Sequence, residues 1–193
     1  MTDISPFSIL CVCTGNVCRS PAAERLLTAA FGDAVAPASA GTHALVGQPI
    51  ASPMDILLAD AGANPDGFVA RRLEAPLLRT AELVLTMTQE QRGDVVELWP
   101  KAVRRTFTLK EFARLLGSID LTRLPDGPVP ERMRDAVPLA ATQRRQVADP
   151  SQDEVVDPYG LPEQVYATAF ADIQQAVSQM ASILVPASVG DRR

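Results

Sequence analysis

Phe7-Ser8-Ile9-Leu10-Cys11-Val12-Cys13-Thr14-Gly15-Asn16-Val17-Cys18-Arg19-Ser20-Pro21 is the stretch from which the fold can be read. The apolar, partly β-branched run Phe7 to Val12 suits a buried strand, and Ala22 to Phe31 carries apolar residues at helical spacing. Cys13 to Arg19 is therefore a loop that joins strand to helix, with a thiol at one end and a guanidinium at the other. Gly15 is placed to turn the backbone tightly. Ser20 is a good N-cap residue, and Pro21 is accepted at a first helical position, where no N–H is needed.

The first N–H groups of a helix have no internal partner and, with the helix dipole, make a ready site for an anion. The amides of Thr14 to Cys18 can form a nest around the oxygens of a phosphate, and the planar fork of Arg19 can grip two of them. Cys13 lies beneath that cup, where a helix N-terminus and a nearby arginine both favour the thiolate. The loop thus reads as a phosphate cradle with a nucleophile at its base. Cys11, two residues earlier, reads as a small buried hydrophobe.

Cys13-Thr14-Gly15-Asn16-Val17-Cys18-Arg19-Ser20-Pro21 resembles the signature loop of the low-molecular-weight protein tyrosine phosphatases, whose members attack phosphotyrosine with the first cysteine of C-x5-R-S. The resemblance implies Cys13 as nucleophile, Arg19 as phosphate clamp, and Thr14, Gly15, Asn16, Val17, Cys18 and Ser20 as the lining of the phosphate site. Ser20 is placed to donate its hydroxyl to the thiolate. Cys18 is placed to cap an oxidised Cys13 as a reversible disulfide, or simply to pack. Ser39-Ala40-Gly41-Thr42 resembles the family's segment after the second strand, in which the serine supports the loop asparagine, here Ser39 with Asn16. Animal members often carry an aromatic cleft wall farther along; Ala44-Leu45-Val46-Gly47 stands there instead, with Ala44 and Leu45 as the candidate wall. That is similar to the bacterial branch linked to tyrosine kinases of polysaccharide export, which makes such a kinase a candidate partner. His43 reads as an exposed loop residue.

The chain has 193 residues, 47% of them hydrophobic, and a formal net charge of −5. One domain over 1–193 accommodates that length, and the acidic balance argues against a nucleic-acid binder. The three cysteines lie between positions 11 and 18, so no disulfide framework can staple distant parts together, and a reducing compartment is expected. With a single histidine and no second cysteine cluster, no metal site and no cofactor are expected. Met1 to Val12 lacks the pattern of a secretory signal, and Ile173 to Val189 is interrupted by Gln174, Gln175, Gln179 and Pro186, too short for a membrane span. A cytoplasmic protein is expected.

Taken in order, Ala34 to Ser39 reads as a second strand followed by a loop over the cradle, and Pro53 to Ala61 as a helix closed by Gly62. Arg71, within Val69-Ala70-Arg71-Arg72-Leu73, reads as a structural arginine. Leu83 to Met87 is a buried strand, Thr88 to Leu98 a helix, Ala102 to Leu109 a fourth strand frayed or edge-placed at Arg104 and Arg105, and Lys110 to Leu116 a short helix. From Gly117 to Glu154 prolines and charges mix without a sustained period, which reads as a Pro-rich insertion, mobile in part. Its Arg132, Arg134, Arg144 and Arg145 read as a solvated surface. Leu161 to Leu184 is the longest helical pattern. Alternating strands and helices predict an α/β fold with a four-stranded parallel sheet flanked by helices on both faces and right-handed crossovers; the resemblance implies flavodoxin-like topology of the phosphotyrosine phosphatase I type.

Asp157-Pro158-Tyr159 resembles the family's acid loop, which implies Asp157 as the proton donor to the leaving oxygen and Tyr159 as a cleft wall. Asp149-Pro150 reads as an ordinary turn. The implied activity is hydrolysis of phosphotyrosine on proteins through a phosphocysteine intermediate. Three alternatives stand beside it. Arsenate reductases of this fold need two further cysteines downstream, and none follows Cys18. Arginine phosphatases carry a threonine where Val17 stands. A non-catalytic phosphate-binding module would be expected to lack the nucleophile or the acid.

Overall fold

A computed structural model describes residues 5–144 and 149–186. Strand β1 (Phe7–Cys13) leads through the cysteine loop into helix α1 (Arg19–Phe31), then strand β2 (Val35–Gly41), helices α2 (Met54–Asp60) and α3 (Ala75–Thr80), and strand β3 (Leu83–Thr86). Helix α4 (Gln89–Leu98), strand β4 (Thr106–Thr108) and helices α5 (Leu109–Leu116), α6 (Val129–Gln143) and α7 (Glu163–Leu184) complete the order. The four strands form one parallel sheet in the order β2-β1-β3-β4. That order reverses between β1 and β3, and open parallel sheets bind ligands at such a switch point, beyond the strand C-termini. Cys13 is the last residue of β1, so the fold puts the cysteine loop there.

Period-two alternation along β1 sends side chains to both faces. Phe7, Ile9, Cys11 and Cys13 join the larger apolar core with Leu27 of α1, Phe112 of α5 and Ile173 of α7. Leu10 and Val12 join a smaller core with Leu78 of α3 and Val95 of α4. Sheet burial on both faces accounts for the apolar run of β1 from Ile9 to Cys13, which only Ser8 near its start precedes as a polar residue. Pro37 is tolerated because β2 is an edge strand.

Several expectations change. Helix α1 starts at Arg19, so its N-cap is Cys18 rather than Ser20, and Pro21 is the third helical residue. Strand β2 runs on through Ala40 and Gly41, beyond the expected end at Ser39. The fourth strand is only Thr106–Thr108, because Pro100–Arg105 winds into a 3-10 turn. Helix α3 has no counterpart among the elements expected from the sequence.

The largest correction concerns 117–154. Part of it is the 15-residue helix α6, with Pro138 in its interior. Val129, Met133, Ala136, Val137 and Ala140 bury one face in the main core, against α5 and α7. The arginines read as solvated are tied down. Arg132 donates to the carbonyls of Leu184 at 3.0 Å, Ile183 at 2.9 Å and Pro125 at 2.8 Å, which satisfies the C-terminal carbonyls of α7. Arg134 pairs with Glu82 at 2.8 Å. Arg144 pairs with Glu111 at 3.1 Å and donates to the Thr106 carbonyl on the edge strand. Arg145 lies outside the described residues.

Candidate active site

The turn out of β1 is made by Asn16, whose φ of 56° lies in the left-handed region that asparagine tolerates better than most residues. Gly15 is not in that region, so the tight turn belongs to Asn16 and not to Gly15, as the sequence had suggested. Asn16 is fully buried and completely bonded. Its Nδ2 donates to Ser20 Oγ and to Ser39 Oγ, each at 2.9 Å, and its Oδ1 accepts from Arg71 N at 2.9 Å. Ser39 Oγ donates in turn to Glu24 at 2.6 Å, and Arg71 Nε binds the Ser39 carbonyl at 2.8 Å. Side chains from the loop, α1, β2 and the Arg71 segment thereby fix one backbone conformation.

Cys13 Sγ, 2% exposed, accepts the Asn16 N–H at 3.3 Å and lies 3.0 Å from Ser20 Oγ. Asn16 Nδ2 can only donate, so Ser20 Oγ is the acceptor in that contact and its proton is free for the sulfur. Ser20 does its work through Cys13, not as a helix cap. Gly41 faces the loop from β2, where a Cβ would sit 2.5 Å from the Thr14 carbonyl oxygen and 3.0 Å from Ala44. Only glycine fits there.

Arg19 is buried. Its Nη1 donates to the Val155 carbonyl at 3.1 Å, and its Nη2 is paired with Asp157 Oδ2. Nε is buried and meets no acceptor among the described residues. Asp157, 138 positions away in sequence, is half-exposed at 50% and accepts the Tyr159 N–H at 3.2 Å in a local turn. The preceding segment is strapped to the sheet. Asp153 forms a two-pronged pair with Arg114 at 3.0 and 2.6 Å, and its carbonyl accepts from Thr108 Oγ1 at 2.7 Å. Glu154 accepts from Gln89 N at 3.0 Å, and Val155 N donates to the Met87 carbonyl at 2.9 Å.

Cys13, Cys18, Arg19 and Asp157 meet in one cleft of about 170 Å³ walled by Thr14, Gly15, Val17, Leu45 and Tyr159. His43, read as a plain loop residue, also lines it. Ala44, a proposed wall, does not, because its Cα and Cβ face Gly41. Burial pushes the Cys18 thiol up to about 12, against the opposing hydrogen bond from the Tyr166 hydroxyl. Cys18 is thus a neutral thiol, and burial pushes Cys11 up as well.

Sequence reasoning missed Glu24, Gln91 and Tyr166. Gln91 could have been found: Thr88-x-x-Gln91 has the spacing of a capping box, and both of its hydrogen bonds are present. Tyr166 touches the site only through the fold, so no local signal marks it.

A switch-point cleft with a buried thiol at the floor of an amide-rich loop, an arginine at the loop's end and a carboxylate across from it defines the class of α/β proteins built to handle phosphate groups over a cysteine. Residues 8–125 match the family model described as low molecular weight phosphotyrosine protein phosphatase. The chain belongs to this family. Etp of Escherichia coli (strain K12), a low molecular weight protein-tyrosine-phosphatase, is 38% identical over 112 residues, 58% of this chain and 75% of that protein. The solved structure of the tyrosine phosphatase AmsI from Erwinia amylovora superposes with a TM-score of 0.70 over 96% of this chain and 98% of that one; at 24% identity this likeness speaks for the fold. The YwlE arginine phosphatase from Geobacillus stearothermophilus superposes with a TM-score of 0.68 at 28% identity over 92% of each chain. The family match stops before Asp157, so the carboxylate side of the cleft rests on the fold.

Proposed function

We propose that this protein hydrolyses phosphotyrosine on proteins through a phosphocysteine intermediate. One observation carries the reading: Cys13, whose Sγ has Ser20 Oγ at 3.0 Å behind it, shares one cleft with buried Arg19 and with Asp157 although the two sides come from opposite ends of the chain. Cys13 thiolate attacks phosphorus in line with the P–O bond to the tyrosine. That bond breaks as Asp157 delivers a proton to the phenolic oxygen, and a P–S bond forms. Water then adds to phosphorus while the Asp157 carboxylate takes its proton; the P–S bond breaks, releasing phosphate and restoring the thiolate. The loop amides and Arg19 stabilise the equatorial oxygens throughout. A phosphate dianion competes with Asp157 for the Arg19 fork, freeing the aspartate to face the leaving group.

The arginine-phosphatase reading is weakened by Val17, a buried apolar residue on the cleft wall. We further infer a single phosphatase domain over 1–193 with a Pro-rich, charged insertion at 117–154 whose helix α6 is a structural part of the core, and a tyrosine-phosphorylated protein, with a bacterial tyrosine kinase as the candidate, as partner. Among the described residues no helix is long and apolar enough to cross a membrane; a cytoplasmic location is part of the proposal.

The test is steady-state hydrolysis of matched phosphotyrosine, phosphoserine and phosphoarginine peptides with chelator present and Cys13→Ser as control. Turnover of phosphotyrosine alone, lost in the control, is expected. Preference for phosphoarginine would transfer the assignment to the arginine phosphatases, and binding without turnover of any peptide would make the protein a phosphate-binding module.

A further inference from the structure

We propose that Gln91 is a positioning residue that sets the polarity of the Thr14 hydroxyl, directing its proton into the cleft as a side-chain donor to the phosphoryl group. The proposal rests on the phosphatase reading above. Gln91 is 4% exposed in the first turn of α4, and its Oε1 accepts from the backbone of Met87 at 2.9 Å and Thr88 at 3.2 Å. Two backbone donors converge on this atom, so it is the oxygen, and the amide cannot be turned over. The nitrogen therefore faces Thr14, with Nε2 3.1 Å from Thr14 Oγ1.

An amide nitrogen only donates, so Thr14 Oγ1 is the acceptor in this contact. The Thr14 O–H must then point away from Gln91. Thr14 lines the cleft beside Cys13, and its carbonyl is already taken by His43 N at 2.9 Å. The cleft is where a phosphoryl oxygen sits in the proposed reaction, and it is the acceptor left to that proton. Asn16 uses the same device on the other side of the loop: an amide fixed by a backbone partner donates to Ser20 Oγ and leaves the serine proton for Cys13. Two carboxamides thus orient two hydroxyls, one toward the nucleophile and one toward the group it attacks.

Gln91→Glu separates this role from a structural one. A carboxylate keeps the acceptor that starts α4 but has no N–H, and it draws the Thr14 proton toward itself. Hydrogen bonds to charged groups imply a fall in kcat/KM on a phosphotyrosine peptide of roughly ten- to a hundred-fold for Gln91→Glu and for Thr14→Val. Thr14→Ser, which keeps the hydroxyl, should stay within about threefold. In the Thr14→Val background, adding Gln91→Glu should cost less than about threefold more, since residues acting through one hydroxyl are not additive. Tungstate affinity by calorimetry, read beside the melting temperature of each variant, should weaken in the same order. The proposal is overturned if Gln91→Glu leaves kcat/KM and tungstate affinity within twofold of the parent. It is equally overturned if its effect is undiminished in the Thr14→Val background, which would mean that the carboxylate merely repels the anion. A parent protein that turns over no phosphotyrosine would defeat the phosphatase reading instead, and the tungstate series would still decide the polarity of Thr14.

Discussion

Replacing Asn16 by alanine should damage stability and activity together, because one side chain holds the loop in a backbone conformation that alanine resists. The substitution removes two buried bonds, to Ser20 and Ser39, and the partly buried bond from Arg71 N. At roughly 1 kcal/mol for each buried bond and about 0.5 kcal/mol for the third, the loss is about 2.5 kcal/mol. Alanine at a φ of 56° adds about 1 kcal/mol of backbone strain. The sum, about 3.5 kcal/mol, corresponds to a fall in Tm of about 7–14 °C for a chain of this size. Ser20 would also lose the partner that fixes its proton on Cys13, so kcat should drop even at temperatures where the variant is fully folded. Asn16→Gly relieves the strain and not the lost bonds, and should recover only about 1 kcal/mol. Differential scanning calorimetry with parallel kinetics on a phosphotyrosine peptide measures both effects. An alanine variant that melts within 2 °C of the parent and keeps its kcat would refute the argument that this network holds the site.

Asp157→Asn should lower kcat on phosphotyrosine by about 10² to 10⁴, the usual contribution of a general acid, and by much less on an aryl phosphate whose leaving group needs no proton; equal losses on both would remove Asp157 from that role. Arg132→Ala should lower Tm without changing kcat/KM, because its three backbone acceptors lie at the end of α7 and in the segment before α6; calorimetry and kinetics on one sample decide it. Stability should fall as pH rises from about 9 toward 12, since an unfolded chain loses its thiol protons near the ordinary cysteine value whereas burial keeps Cys18 protonated up to about 12. Urea midpoints at about pH 8 and pH 10.5 report this, and Cys18→Ala should flatten part of the slope.

Much of the fold was legible because its signals are local. The apolar run of β1, the helical spacing after Pro21 and the strand at Leu83 each appear within a dozen residues. The errors cluster where local and tertiary preferences disagree. Pro138 argues against a helix, yet α6 forms around it because Met133, Ala136, Val137 and Ala140 bury one face in the main core. Ser20 has a strong capping preference, but its hydroxyl is engaged beside Cys13, and the helix begins two residues earlier than a Ser20 cap would start it. Arg132, Arg134 and Arg144 look like surface charges by composition, and each instead finds acceptors from segments far away in sequence.

The sequence by itself determined the α/β alternation, the cysteine loop at the end of the first strand and the residue types able to cradle a phosphate, because spacing and chemical type survive in a linear string. Only the tertiary structure decided which groups meet. Asp157 reaches Arg19 across 138 positions because Asp153, Glu154 and Val155 are strapped to three other segments. Likewise, the direction of a hydroxyl proton on Ser20 or Thr14 is written in no motif. It follows from which atoms of Asn16 and Gln91 the backbone has already claimed, and that is a property of packed neighbours alone.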